Sequence, residues 1–175
     1  LSPVRPSAEA LHVSQDRQTE KAFINRLGIS TAPWAPVLEQ SDLSTAAGQT
    51  GFPAILKTAR VGYDGKGQVR VDAKSDLMAA WTSIGKMPSV LEGFVDFERE
   101  ISVIVARSVE SKTESYVPVD NVHKDHILYS TSAPSSVSEE IGEKAKQIAD
   151  KIVTALNLVG LLAVEMFVMR DGSVL

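Results

Sequence analysis

A glycine-rich segment in the first half of the chain has the residue types and spacing that most clearly suggest chemistry. It reads Gly62-Tyr-Asp-Gly-Lys-Gly-Gln68, with three glycines in six positions. Glycines let backbone N–H groups approach a phosphate closely and adopt positive φ, as an anion-binding nest requires. Gln68 stands where a P-loop has its lysine, and the glycine order is not that of a dinucleotide fingerprint. By itself the segment fits a phosphate nest and a plain hairpin turn equally well.

Two charged side chains in apolar surroundings are further candidates. Lys57 ends the apolar run Phe52–Lys57, shortly before the glycine-rich segment. Its ammonium could serve phosphate oxygens as a point charge, although lysines at strand ends commonly just extend into solvent. Glu165 lies inside the apolar run Leu161–Met169, where an unpaired buried carboxylate would cost several kcal/mol. We therefore expect Glu165 either to be exposed on a one-sided sheet or to meet a cation, for which Mg²⁺ is suitable.

Three other polar positions have ordinary explanations that compete with a functional one. Glu92–Val95 follows an apolar strand and could offer backbone groups to a planar base, or could be a plain linker. Glu100 follows Arg99 at a strand start, where a surface salt bridge is the simple account. His123 and His126 have no cysteine and no third imidazole nearby, so a zinc site is not expected.

Composition and charge exclude several classes of function. The 175 residues contain 18 Lys+Arg and 22 Asp+Glu, a net charge of −4 at pH 7 that gives no electrostatic attraction to nucleic acid. The absence of cysteine excludes disulfide scaffolds, thiolate metal sites and cysteine nucleophiles, and is compatible with the cytosol. The longest apolar run, Leu158–Met169, is too short and too polar to span a bilayer. We therefore expect neither nucleic acid nor a membrane as a partner.

Hydrophobic periodicity predicts the elements that must position these residues. It predicts helices at 15–27, at 42–48, from the Ser75 cap to residue 84, and from the Ser136 cap to residue 157. It predicts strands at 52–57, 69–71, 89–91, 99–107, 116–122, 127–131 and 160–169. N-caps are predicted at Ser14, Ser75 and Ser136, the last in a capping box with Glu139. Turns are predicted at 110–115 and at Asp171-Gly172. Without regular βαβ alternation, this order indicates two α+β lobes that meet near residue 90.

Together the motifs resemble the 5-(carboxyamino)imidazole ribonucleotide synthases, ATP-grasp enzymes of purine biosynthesis. The most discriminating segments are Gly62–Gln68 and Leu91–Ser102, and the others, in family order, are 14–21, 52–57, 119–123, 133–134 and 159–167. The resemblance implies an α+β ATP-grasp core of two lobes with mainly antiparallel sheets. Residues 1–13 would lead into a small lobe at 14–88, followed by a large lobe at 89–175. We expect a fragment that lacks the family's preceding Rossmann-like domain and its C-terminal end.

The resemblance also implies an activity. Such a ligase uses ATP and bicarbonate to carboxylate 5-aminoimidazole ribonucleotide through carboxyphosphate, releasing ADP and phosphate. ATP and Mg²⁺ would be its cofactors, a mutase would receive its product, a homodimer is compatible with the family, and the location would be cytoplasmic. No catalytic residue is assigned, and the 175 residues alone are expected to be inactive, because the second metal carboxylate and part of the substrate site would follow Leu175. The alternatives are another ATP-grasp ligase, or a nucleotide-binding or assembly module without catalysis.

Residue roles are implied in the same way. Arg17 and Lys57 would contact the nucleotide phosphates, and Glu165 would hold Mg²⁺. Glu100 would bind the ribose hydroxyls, and His123 would contact the nucleotide. A lid over the phosphates would comprise Gly62, Tyr63, Asp64, Gly65, Lys66, Gly67 and Gln68, and adenine would be bound by Glu92, Gly93, Phe94 and Val95. A departure from the family is His126, which stands where glycine is expected.

Overall fold

The computed structural model describes residues 4–61, 67–124 and 126–175. Most of the predicted lid, residues 62–66, therefore lies outside the described residues, whereas Gly67 and Gln68 are described. The chain divides into two compact units. The first unit comprises residues 14–23 and 31–95, and the second unit contains the other described residues. No helix in the described ranges is long and apolar enough to cross a membrane.

Five helices and nine strands are assigned among the described residues. In chain order they are α1 (Ala8–Ser14), α2 (Arg17–Arg26), β1 (Trp34–Val37), α3 (Asp42–Thr50), β2 (Ala54–Thr58), β3 (Gln68–Val71), α4 (Leu77–Ser83), β4 (Ser89–Gly93), β5 (Arg99–Arg107), β6 (Thr113–Ser115), β7 (Val119–Lys124), β8 (Ile127–Ser132), α5 (Glu139–Ala155) and β9 (Gly160–Val168). Every strand pairing in the described ranges is antiparallel, which confirms the predicted α+β class with antiparallel sheets.

The first unit is built on a four-stranded sheet with the order β1-β4-β2-β3. Leu56 and Leu91 pair on one face of this sheet and are fully buried in a core that also contains Trp81 of α4. The opposite face carries Lys57 on β2 and Glu92 on β4, because side chains alternate along each strand. The strand β4, which begins at Ser89, lies between β1 and β2 in this sheet. The lobe boundary between residues 88 and 89 stays a prediction.

The second unit is built on a five-stranded sheet in which β6 and β7 pair with different ends of β5, and β8 pairs with β7. The strand β9 pairs with β5 along its whole length. Ile101, Val103 and Val105 of β5 are fully buried on one face. The helix α5 packs against β5 and contributes the fully buried Ala145 and Ala149. The alternate residues of β5, which include Glu100 and Ser102, therefore point to the other face of the sheet.

The predicted N-caps are wrong by one or two residues. Asp16 Oδ1 accepts hydrogen bonds from the backbone N–H groups of Gln18 and Thr19, each at 3.1 Å. Ser136 does not cap α5, because its hydroxyl donates to Asp120 Oδ2 at 3.0 Å. The capping residues are Asp16, Asp76 and Ser138 instead of Ser14, Ser75 and Ser136. Each true cap lies within two residues of a second residue of capping type, so residue type alone does not select the position.

Two further differences concern local elements. The helix α1 is an addition to the predicted set, and β6 lies within the segment predicted as a turn at 110–115. The predicted hairpin turn at Asp171-Gly172 is confirmed, because Phe167 and Leu175 exchange backbone hydrogen bonds of 2.9 Å across it. An isolated bridge between Val168 and Val174 continues the same pairing.

A glycine pair provides a test of packing in the first unit. A Cβ added at Gly93 would lie 2.9 Å from the backbone oxygen of Thr50, whereas one added at Gly48 in α3 meets nothing within 4 Å. We expect Gly93→Ala to lower the free energy of unfolding by about 1–3 kcal/mol, because a backbone atom must move. Gly48→Ala should raise it by about 0.5–1 kcal/mol, because alanine favours the helix. Urea denaturation of both variants measures the difference, and equal stabilities would contradict the packing described.

Candidate functional site

A carboxylate shared by two lysines is the central charged cluster of the first unit. Glu92 Oε2 lies 2.8 Å from Lys57 Nζ, and Glu92 Oε1 lies 3.2 Å from Lys21 Nζ. The Glu92 side chain is 10% exposed, and those of Lys57 and Lys21 are 24% and 16% exposed. The three residues come from β4, β2 and α2. Their charges sum to one net positive charge in a largely buried location.

The ionisation of Glu92 follows from these contacts. Burial by itself raises the pKa of the Glu92 carboxyl, but the ammonium groups of Lys57 and Lys21 outweigh burial and hold the pKa below its usual range. Glu92 is therefore ionised at neutral pH. Since an ammonium has three donors, Lys57 can keep its contact with Glu92 and still donate to another acceptor.

Arg17 connects the start of α2 to the chain that leads into the glycine-rich segment. Its Nη1 donates to the backbone oxygens of Thr58, at 2.8 Å, and Val61, at 3.0 Å. Val61 is the last described residue before that segment. One residue further along α2, Gln18 Nε2 donates to the backbone oxygen of Ser89 at 2.9 Å. Arg17 and Lys57 thus belong to one unit, and α2 is fixed to both β2 and β4 near them.

The backbone of the predicted adenine segment is partly engaged within the protein. The N–H of Gly93 donates to the Pro33 oxygen at 2.8 Å, and the N–H of Phe94 donates to the Pro53 oxygen at 2.9 Å. These two donors are therefore not available to a base in this arrangement. The ring of Phe94 lies under the Arg70 guanidinium, 4.7 Å from its carbon to the ring centroid. The role predicted for residues 92–95 stays a prediction.

The second unit carries a separate polar cluster on the sheet face opposite α5. His123 Nδ1 lies 2.7 Å from Glu100 Oε2, and both side chains are about a quarter exposed. Next to this pair, Asn121 Nδ2 donates to Ser102 Oγ at 3.0 Å, and Thr131 Oγ1 donates to Asn121 Oδ1 at 3.0 Å. The predicted residues Glu100 and His123 are thus in direct contact. The hydrogen bond at Nδ1 leaves Nε2 as the ring nitrogen that can meet a ligand.

An irregularity in β7 and β8 accompanies this cluster. Val122 pairs with Ser130, but His123 pairs with Leu128, so β8 has one additional residue there. Such bulges re-aim side chains and are common beside functional sites. The hairpin turn nearby contains His126 at φ 64°, a conformation that favours glycine and in which histidine is among the more tolerated residues. This explains in physical terms why glycine is expected at this position.

Glu165 is exposed on the same face, opposite Ser102 in the pairing of β9 with β5. The carboxylate is therefore open to solvent, and its predicted role at Mg²⁺ stays a prediction. In the described part of the chain, no group of three or more histidine, cysteine, aspartate or glutamate side chains could hold a metal ion.

Sequence reasoning missed Lys21 and the trio Ser102, Asn121 and Thr131. A signal for Lys21 was present, because it follows Arg17 by four residues and therefore shares a helix face with it. The trio could not be found from sequence, because its members come from three strands whose register is a property of the folded sheet.

Comparison with known proteins identifies the family. The ATP-grasp domain model matches residues 22–175. The chain belongs to the ATP-grasp family. It is 46% identical over 174 residues to the N5-carboxyaminoimidazole ribonucleotide synthase of Brucella melitensis biotype 1, which covers 98% of this chain and 48% of that protein. The predicted ATP-grasp fold and the resemblance to these synthases are confirmed.

Two crystal structures from Aspergillus clavatus show the same fold. A carboxyaminoimidazole ribonucleotide synthase complexed with ATP superposes with a TM-score of 0.90 at 30% identity, covering 98% of this chain and 45% of that one. A synthase complexed with ADP and 5-aminoimidazole ribonucleotide superposes with a TM-score of 0.87 at 29% identity, with the same coverage of 98% and 45%. This ATP-grasp chain spans 45% to 48% of the length of these three relatives.

The free energy of unfolding should depend on pH through the Glu92 cluster. A carboxyl whose pKa is lowered by folding contributes stability that is complete above its unfolded pKa, about 4.3, and is lost as the pH falls toward the folded value. We expect Glu92→Gln to remove this part of the pH dependence. At pH 7 it should lower the free energy of unfolding by about 2–4 kcal/mol, because two ammonium groups then lack their counter-ion.

The matched control is Glu143→Gln, which breaks the 2.7 Å pair with Lys146 on the exposed surface of α5. It should change stability by about 0–1 kcal/mol. Denaturation followed between pH 3 and pH 7 distinguishes the two variants. An unchanged pH dependence in Glu92→Gln would contradict the assignment of the shared carboxylate.

Proposed function

We propose that the protein carrying this chain is an ATP-dependent ligase that carboxylates 5-aminoimidazole ribonucleotide with bicarbonate, and that this chain supplies ATP-binding residues. The observation that carries the proposal is the largely buried cluster of Lys21, Glu92 and Lys57, whose net positive charge suits a bound anion. Its support is the similarity to synthases over 98% of the chain, including a protein crystallised with ATP.

The proposed reaction has two balanced steps. A bicarbonate oxygen attacks the γ-phosphorus of ATP, the bond from that phosphorus to the β–γ bridging oxygen breaks, and carboxyphosphate and ADP form. The exocyclic amine of 5-aminoimidazole ribonucleotide then attacks the carboxyl carbon, phosphate leaves with the bonding electrons, and the amine loses a proton. Phosphoryl transfer depends mainly on positioning and on charge stabilisation. The residues of this chain therefore act by binding and orienting ATP.

Individual roles follow from the chemistry of each side chain. Lys57 and Arg17 provide the cations for phosphate oxygens. Glu100 keeps one carboxylate oxygen for a ribose hydroxyl after accepting the bond from His123, whose Nε2 is directed to the nucleotide. Glu165 contributes one ligand to Mg²⁺, which when bound neutralises charge on the phosphates, and the remaining ligands come from outside the described residues. The predicted lid at 62–68 and adenine segment at 92–95 belong to the same proposal.

Some consequences concern the whole protein. We propose a homodimer, a cytoplasmic location and transfer of the product to the mutase of the next step. The 175 residues alone are proposed to be inactive, because Glu165 is the only carboxylate assigned to the metal within them.

The activity is tested with the gene product that carries this chain. Phosphate release should require ATP, bicarbonate and 5-aminoimidazole ribonucleotide together, and label from ¹³C-bicarbonate should appear on the exocyclic nitrogen of the product. Omitting each component in turn separates coupled carboxylation from idle hydrolysis. Phosphate release that depends on a different acceptor would favour another ATP-grasp ligase. ATP binding without release under any condition would favour a binding module.

The phosphate role of Lys57 is tested in the same protein. We expect Lys57→Met to weaken ATP binding by about 1.5–3 kcal/mol, roughly 10-fold to 150-fold in Kd, because one charge-assisted contact is lost while the apolar stem is kept. Isothermal titration calorimetry measures the affinity. The control, Lys146→Met, removes a lysine of an exposed pair on α5 and should leave the affinity unchanged. Equal affinities for Lys57→Met and the control would show that Lys57 does not contact ATP.

A further inference from the structure

Lys21 is the member of the Glu92 cluster that has no role in the proposed chemistry. It lies on α2 one turn after Arg17, and its ammonium is 3.2 Å from Glu92 Oε1. Its side chain is only 16% exposed, so a lysine has been largely withdrawn from water to reach this carboxylate. Such burial is rare for a lysine without a specific partner. The contact with Glu92 is therefore the feature to explain.

Hydrogen bonds hold the first turn of α2 next to β2 and β4. Arg17 donates to the backbone oxygens of Thr58 in β2 and of Val61, three residues after β2, and Gln18 donates to that of Ser89 in β4. These bonds hold the first turn of α2 against the same two strands that carry Lys57 and Glu92. Lys21, three residues after Gln18, lies on the face that these bonds turn toward the sheet. Its position is therefore set by several independent contacts.

The charges of the cluster give Lys21 a consequence for Lys57. With Lys57 alone, Glu92 would form a neutral pair, and the carboxylate would cancel much of the attraction of Lys57 for a nearby anion. With Lys21 on the second oxygen, the cluster keeps one net positive charge. Coulomb energies are large at low dielectric. The additional charge of Lys21 therefore strengthens the attraction of the cluster for an anion that contacts Lys57.

We propose that Lys21 is a positioning residue that holds Glu92 and offsets its charge, so that the Lys57 ammonium can serve the phosphates of a bound nucleoside triphosphate. This inference rests on the proposed function, because it assumes that Lys57 binds the nucleotide. Lys21 itself does not touch the nucleotide, and it acts through Glu92.

The pH dependence distinguishes this role from a merely structural one. The charged groups that face Glu92 among the described residues are Lys57 from β2 and Lys21 from α2, and β1 places the uncharged Trp34 opposite it. Removing Lys21 leaves burial opposed by one cation only, so the pKa of Glu92 must rise. As the pH is lowered, a protein without Lys21 should therefore lose ATP binding at a higher pH than the wild type does.

The test compares Lys21→Met and Lys21→Arg with the wild type in the gene product that carries this chain. Lys21→Met should raise the Kd and KM for ATP about tenfold, with kcat nearly unchanged and the acid limb of kcat/KM at higher pH. Lys21→Arg keeps the charge and should restore most of the affinity and the acid limb. Thermal unfolding of each variant checks that the fold is kept.

The outcomes separate this inference from the proposed function. If Lys21→Met binds ATP within about twofold of the wild type, with the same acid limb, the positioning role is wrong. If Lys21→Arg is as impaired as Lys21→Met, the role of the charge is wrong. ATP binding that depends on Lys21, in a protein that does not carboxylate 5-aminoimidazole ribonucleotide, would overturn the proposed substrate and keep the inference. A wild type that does not bind ATP would overturn both.

Discussion

Burying the carboxylate of Glu92 on β4 requires cations, and much of the first unit is arranged to provide them. The antiparallel pairing of β2 with β4 brings Lys57 to one oxygen, and the anchored first turn of α2 brings Lys21 to the other. Two lysines around one carboxylate keep the group ionised and leave a surplus positive charge beside Lys57. A site of that charge suits the polyphosphate of a nucleotide, which joins the packing of this sheet to the proposed activity.

The second unit solves a related problem with hydrogen bonds between neutral groups. One face of its sheet is apolar and covered by α5, and the other presents Glu100, His123 and Glu165. The mutually bonded side chains of Ser102 and Asn121 lie among them, almost wholly buried and satisfied. Satisfied polar groups of this kind order their surroundings, whereas unsatisfied ones would destabilise the sheet. The trio therefore fixes the strands that carry the Glu100–His123 pair.

The success of sequence reasoning depended on the range of the interactions involved. The bounds of β5 were predicted correctly because its alternation of β-branched residues is a local property, and the turn at Asp171-Gly172 has an equally local signal. The predicted N-cap positions were wrong by one or two residues because several serines and aspartates lie close together there. The ATP-grasp fold was found through motifs, and the role of Lys57 at the phosphates stays a prediction. The link from Lys21 to Glu92 joins distant parts of the chain, and only the folded sheet and the fixed α2 reveal it.

Lys57 and Lys21 share Glu92 beside a bound nucleotide in this description of the site. An ATP titration of the gene product that carries this chain, followed by NMR of ¹³Cε-labelled lysines, tests this directly. Lysine-to-methionine variants assign the two signals. We expect the Lys57 signal to shift and saturate with ATP, while the Lys21 signal keeps the signature of its contact with Glu92. Saturation with ATP that leaves Lys57 unchanged, or that releases Lys21 from Glu92, would contradict it.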